Sequence, residues 1–177
     1  MNTVDPASVL PGLQPVLSDL TERFETRIEA VHVAHPNEIY FHARMDLVPG
    51  FCAQLYKKWN GRLVSLFADD ARALAGQASR RSGGHPAVGL TSADHTPGAA
   101  GGTPAPLAGA FHLYYVFALD AGHGFFILRV PVSEQEPRFL SLTNALPAVN
   151  WHEREIQDLS DDRSGSFLIV HLAPPLF

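Results

Sequence analysis

Two apolar stretches joined by a short glycine-containing break constrain this chain most. Phe111–Leu119 alternates cleanly: Phe111, Leu113, Tyr115, Phe117 and Leu119 fall on one side, and His112, Tyr114, Val116 and Ala118 on the other. Asp120-Ala121-Gly122-His123-Gly124 reads as a hairpin loop, and Phe125–Val132 as the returning strand. Both faces of this pair are largely apolar, so it belongs in the middle of a sheet rather than at its edge.

The other elements follow from periodicity. Leu13, Val16, Leu17, Leu20 and Phe24 form the i, i+3, i+4, i+7 stripe of an amphipathic helix over residues 13–24. Ile28–Ala34 and Ile39–Arg44 read as strands joined by a turn at His35-Pro36-Asn37-Glu38. Val48-Pro49 opens a second helix, with proline suited to the first turn and Phe51, Cys52, Leu55, Tyr56 and Trp59 as its apolar stripe. Asn60-Gly61 ends it, with Gly61 expected in the left-handed C-cap conformation. Arg62–Ala68 is a third strand, with Leu63 and Phe67 on one face and Val64 and Leu66 on the other. Residues 77–109 are rich in Gly, Ala, Pro, Ser and Thr and hold almost no bulky apolar residue. Such a segment cannot bury enough surface to offset its ordering entropy, and it reads as a flexible insertion. Helices on one face of a mixed, roughly five-stranded sheet give an α+β two-layer sandwich. The expected organisation is a flexible tail over residues 1–12, the domain over 13–159, and a C-terminal tail over 160–177 whose FLIVHL run is β-like.

At 177 residues with 46% hydrophobic content, one domain with a real core is expected. The net charge of −5 provides no electrostatic footprint for nucleic acid. Cys52 is the single cysteine, so no internal disulfide or four-cysteine iron–sulfur site can form. Its place in an apolar stripe favours a small buried hydrophobe over a reactive thiol. The N-terminus lacks the pattern of a signal peptide, and the apolar runs are too short to span a bilayer. Membrane association is therefore expected only through partners.

The stretch LTNALPAVNWHEREIQDL, residues 142–159, opens as loop and ends as helix. Asn150 is placed as an N-cap, with Glu153 three residues later to complete a capping box, and a helix from about Trp151 to Leu159 follows. Arg154 and Asp158 are i,i+4 neighbours that can pair. One reading is a capped, solvated surface helix. The other is a docking element in which Trp151 and Ile156 anchor and the charges set register on a partner.

PAVNWHEREIQDL resembles the signature of the 30 kDa subunit family of respiratory complex I, the NADH-quinone oxidoreductase. Pro147, Ala148, Trp151, Glu153, Arg154, Glu155, Asp158 and Leu159 match it, whereas Ser160-Asp161-Asp162 replaces the family's continuation. Upstream, LYKKWNGRLVSLFADDARALAG (55–76) and FHLYYVFALDAGHGFFILRVPV (111–132) look most like the N-terminal domain of the large subunit of formate-hydrogenlyase-type, group 4 NiFe hydrogenases. The resemblance implies a non-catalytic, cofactor-free structural subunit of a membrane-associated oxidoreductase involved in electron transport, at the cytoplasmic face of the cell membrane. Its partners would be the cofactor-bearing D and B subunits, or their NiFe large-subunit-like and small-subunit-like counterparts. Trp151, Glu153, Arg154, Glu155 and Asp158 are its expected partner interface.

The residues themselves point to no catalytic, cofactor or metal site. His152-Glu153 begins like a zincin helix, but Ile156 stands where the second histidine is needed. GHGFFI leads into a strand and lacks the third glycine of a dinucleotide fingerprint. The alternative is a stand-alone small-ligand module or enzyme using His42, His112, Tyr114 and Arg129 on one sheet face.

Overall fold

The computed structural model describes residues 6–70, 111–133, 135, 137–161 and 168–170. The insertion expected at 77–109 lies outside the described residues, as do 1–5, 162–167 and 171–177. The elements run α1 (Gln14–Phe24), β1 (Ile28–His35), β2 (Glu38–Ala43), α2 (Val48–Lys58), β3 (Arg62–Asp70), β4 (Phe111–Leu119), β5 (Gly124–Val132), β6 (Arg138–Leu140), α3 (Val149–Asp161) and β7 (Leu168–Val170). Five strands form one sheet in the order β1-β2-β5-β4-β3, and β6 pairs with β7 in a separate parallel ribbon. Within the large sheet β2 and β5 run parallel and every other neighbouring pair is antiparallel. This is the α+β architecture with a mixed five-stranded sheet, and β4 and β5 occupy the interior as their two apolar faces require.

The helices pack on one face. Leu20 and Phe24 of α1, Phe51 and Leu55 of α2, and Val149 and Ile156 of α3 join Ile39, Phe41, Tyr115, Phe117 and Phe126 in a single core. Phe41 is its centre, meeting Phe51 edge-on at 5.0 Å and stacking on Phe126 at 5.9 Å. Each such ring contributes about 1.5–3 kcal/mol by leaving water. A second tie joins α1 to α2. Asp19 accepts hydrogen bonds from Gln54 Nε2 at 2.7 Å, Lys58 Nζ at 2.6 Å and Trp59 Nε1 at 2.8 Å. Burial pushes the Asp19 carboxyl up, but the bonds from Lys58, Gln54 and Trp59 outweigh it and hold the group at about 2.

Several local expectations change. The described part of the supposed tail is packed: Val9 is buried, and the Leu10 N–H donates to the Pro36 carbonyl at 2.8 Å. After α2 the left-handed residue is Asn60 (φ 51°), not Gly61. Gly61 instead donates its N–H to the Leu55 carbonyl at 2.8 Å, so close to α2 that a side chain there would press on that carbonyl. Tyr56, expected in the stripe of α2, is exposed.

In β3 the register slips between Leu63 and Ser65. Leu63 pairs with Phe117 and Leu66 with Tyr115, so both face the core, while Phe67 pairs with Tyr114 on the outer face. An extra residue in one strand inverts the alternation beyond it, which is why period-two counting put Leu63 and Phe67 together. The β-like run near the C-terminus does pair, through Leu168–Val170, with the short strand β6.

Candidate partner interface on the third helix and the outer sheet face

The chain enters α3 through a compact turn. Ala145 and Leu146 donate N–H bonds to the Leu142 carbonyl at 2.9 and 2.7 Å, and Val149 donates to Leu146 at 2.9 Å. These turns carry the backbone into the helix at Val149, so Asn150 is already helical and its N–H donates to Pro147 at 3.2 Å. The predicted cap at Asn150 is therefore displaced, and Glu153 does not reach back to it. The Glu153 carboxylate turns inward. Oε1 accepts the Leu142 N–H at 2.6 Å, and Oε2 accepts the hydroxyls of Ser141 at 2.7 Å and Thr143 at 2.8 Å. Glu153 is only 1% exposed. These short, charge-assisted bonds offset its desolvation and tie the 141–143 loop to the helix. Glu153 also lies toward Tyr115, whose hydroxyl is pushed well above its usual value by burial first and then by Cys52 and Glu153.

The five residues expected at a partner interface thus divide. Glu153 belongs to this chain's own loop clasp. Trp151 is 76% exposed, and Arg154, Glu155 and Asp158 also stand in solvent. No ion pair joins Arg154 to Asp158 among the described residues. Ile156, read as a second anchor, is buried in the core beside Val149. An exposed indole on a helix held by a buried carboxylate is a rigid, amphipathic contact of the kind that anchors interfaces.

The outer face of the sheet does gather His42, His112, Tyr114 and Arg129. Arg129 is the ladder partner of both His42 and Tyr114. Its Nη2 lies 3.2 Å from His112 Nδ1, and its guanidinium is 5.8 Å from the Tyr114 ring centroid. Burial first, then the charge of Arg129 and the neighbouring His32 and His112, lowers His42 to about 4. His42 is therefore neutral at neutral pH. No group of three or more possible metal ligands occurs among the described residues. Beside this cluster lies an open depression of about 540 Å³ lined by residues including Glu38, Phe67, Asp69, Tyr114 and Phe125. Sequence reasoning missed Phe67 here because of the β3 bulge. The cross-strand match of Phe67 with Tyr114 was the signal available.

Comparison with known proteins bears on both surfaces. Residues 77–161 match the family described as respiratory-chain NADH dehydrogenase, 30 kDa subunit. The match takes in β4, β5, β6 and all of α3, including Trp151, Glu153, Arg154, Glu155 and Asp158. It begins at Gln77, the first residue of the expected insertion. Among solved structures, the chain resembles the trypsin-resistant fragment (1–134) of Nqo5, with a TM-score of 0.57 and 16% identity over 89% of this chain and 94% of that one. That likeness is one of fold. No curated protein matches the sequence. No helix among the described residues is long and apolar enough to cross a membrane.

Proposed function

We propose that this chain is a non-catalytic structural subunit of a membrane-associated, multi-subunit oxidoreductase of the NADH-quinone oxidoreductase type. The observation that carries the reading is the family match through α3, on which Trp151 is presented to solvent by a helix locked from behind by Glu153. The exposed face of α3, with Trp151, Arg154, Glu155 and Asp158, is the docking surface. Cofactor-bearing subunits of the D and B kind are the partners, and attachment to the inner face of the membrane comes through them. The group 4 hydrogenase branch is a finer assignment within this reading. It rests on the resemblance of residues 55–76 and 111–132 to those large subunits, and residues 55–76 lie outside the family match.

The test is affinity purification of the tagged chain from solubilised native membranes, with mass spectrometry of what accompanies it. Quinone-reductase subunits are expected in the complex I case, and a NiFe large subunit with an iron–sulfur small subunit in the hydrogenase case. A chain recovered alone from the soluble fraction defeats the proposal. Glu155→Ala combined with Asp158→Ala weakens assembly and leaves the isolated fold intact; normal assembly of that variant removes α3 from the interface.

A further inference from the structure

The outer sheet face carries charges in a pattern that is its own complement, and the register fixes their places. Phe41, Leu128, Tyr115 and Leu66 form one row across β2, β5, β4 and β3, and all four are buried toward the helices. Three rows to one side, Glu38 on β2 and Arg62 on β3 share the row of Phe125 and Ala118. The bulge after Leu63 makes Arg62 three rows from Leu66 although it is four residues away in sequence. Three rows to the other side, Asp69 on β3 pairs with His112, and Arg44 follows β2 in extended backbone (φ −81°, ψ 162°). Positions an odd number of rows from an inward-facing row point outward, and Arg44, Arg62, Phe67, Asp69 and Phe125 are exposed accordingly. Each end of the face thus holds one acid and one base, and the two ends hold them on opposite strands.

We propose that this face pairs with the same face of a second copy of the chain, about a two-fold axis laid across the strands along the row of Phe41 and Tyr115. That axis exchanges the two ends of each strand. It sets Glu38 against the second copy's Arg44, and Arg62 against its Asp69, so every corner charge meets its opposite. It also sets Phe67 against Ser65, Tyr114 against Val116 and Phe125 against Pro131, a bulky ring over a smaller residue each time. Sheet twist turns about the same direction, so the two sheets stay aligned as they stack. Arg129 lies one row from the axis and approaches its own mate, a cost reduced by the Tyr114 ring 5.8 Å from its guanidinium. Within one copy Arg44 Nε is 4.0 Å from Asp46 and Arg62 Nη2 is 3.4 Å from Asp120, with all four side chains more than half exposed. Such contacts are worth little, and each guanidinium keeps donors for a second carboxylate. The corners enclose roughly 20 by 14 Å, and with the side chains around them about 500 Å² of each copy is covered, at the lower limit for a specific interface. A weak dimer is the expectation. The helical layer, α3 included, packs on the opposite face, so failure of this inference leaves the α3 reading untouched.

The experiment is sedimentation equilibrium of the full chain over roughly 10 μM to 1 mM, which brackets the affinity expected of so small an interface. A monomer–dimer equilibrium is expected. Glu38→Arg alone and Arg44→Glu alone should each weaken association about tenfold, because the two-fold repeats every lost contact. An equimolar mixture of these two variants should recover wild-type association, since each chain then supplies the charge that the other lacks. Arg44 is 79% exposed at its side chain, so its substitution leaves the monomer folded. Arg62→Glu and Asp69→Arg, mixed in the same way, repeat the test on β3. A monomer at every concentration, single variants that associate like wild type, or a mixture that associates no better than its components would each overturn the proposal.

Discussion

Asp19 and Glu153 each accept three side-chain or backbone hydrogen bonds, yet they do different jobs. Asp19 sits at the margin of the helical layer, where it ties α1 to α2 through Gln54, Lys58 and Trp59, with a cation among its partners. Glu153 is enclosed, has no cation among its hydrogen-bond partners within the described residues, and takes one bond from a buried backbone N–H. Water can replace a partner of the first but not of the second. Equal numbers of bonds therefore do not mean equal contributions. What is left stranded when the acceptor is removed decides the cost.

The comparison is most sharply tested by Glu153→Ala. It strands the Leu142 N–H and releases the 141–143 loop, and should destabilise the fold by roughly 3–4 kcal/mol in urea unfolding. A loss below that of the Asp19 substitution would reverse the ranking. Asp19→Ala is expected to cost about 1–2 kcal/mol, because its partners regain water and the Lys58 contact is solvent-screened.

Acid sharpens the contrast. The Asp19 carboxyl is held at about 2, below its unfolded value of 3.8, so the unfolded chain takes up its proton first as pH falls. Its contribution is complete above 3.8 and is lost as pH drops through 2, so stability of the Asp19→Ala variant should fall less steeply than wild type across that window. His42 acts earlier. Its folded value of about 4 lies below the ordinary 6.5, so wild type loses stability as pH falls from 6.5 towards 4, and His42→Gln should flatten that limb. The smallest effect belongs to Trp151→Ala. With its ring in solvent, thermal unfolding should move little, and any loss should appear in assembly instead.

Much of the layer structure was legible because periodicity reports burial directly. The stripe of α1, that of α2 apart from the exposed Tyr56, and the double-sided pattern of β4 and β5 place their residues as the core requires. What period counting missed was set by single residues or by distant pairing. One bulged residue in β3 turned Phe67 outward. β6 is three residues long and is defined by its pairing with β7. At α3 the residue types identified a helix with a carboxylate in its first turns. Nothing local revealed that the carboxylate would serve Ser141, Leu142 and Thr143 rather than Asn150, since a carboxylate accepts from the backbone N–H of a capping box as readily as from the Leu142 N–H and the Ser141 and Thr143 hydroxyls. The outer-face cluster of His42, His112, Tyr114 and Arg129 was legible from alternation alone, but its acidic, aromatic neighbour was hidden by the same bulge.

The parallel ladder between β2 and β5 also sets a timetable. Residues 38–42 pair with residues 125–129, so on the ribosome the β1–β2 hairpin must wait for its second neighbour. At ordinary synthesis rates that wait is roughly 4–17 seconds. During it, the edge of β2 that will meet β5 is bare, and Ile39 and Phe41 are paired with β1 alone. Until β5 emerges the nascent chain therefore carries an unpaired strand edge of the kind through which chains associate.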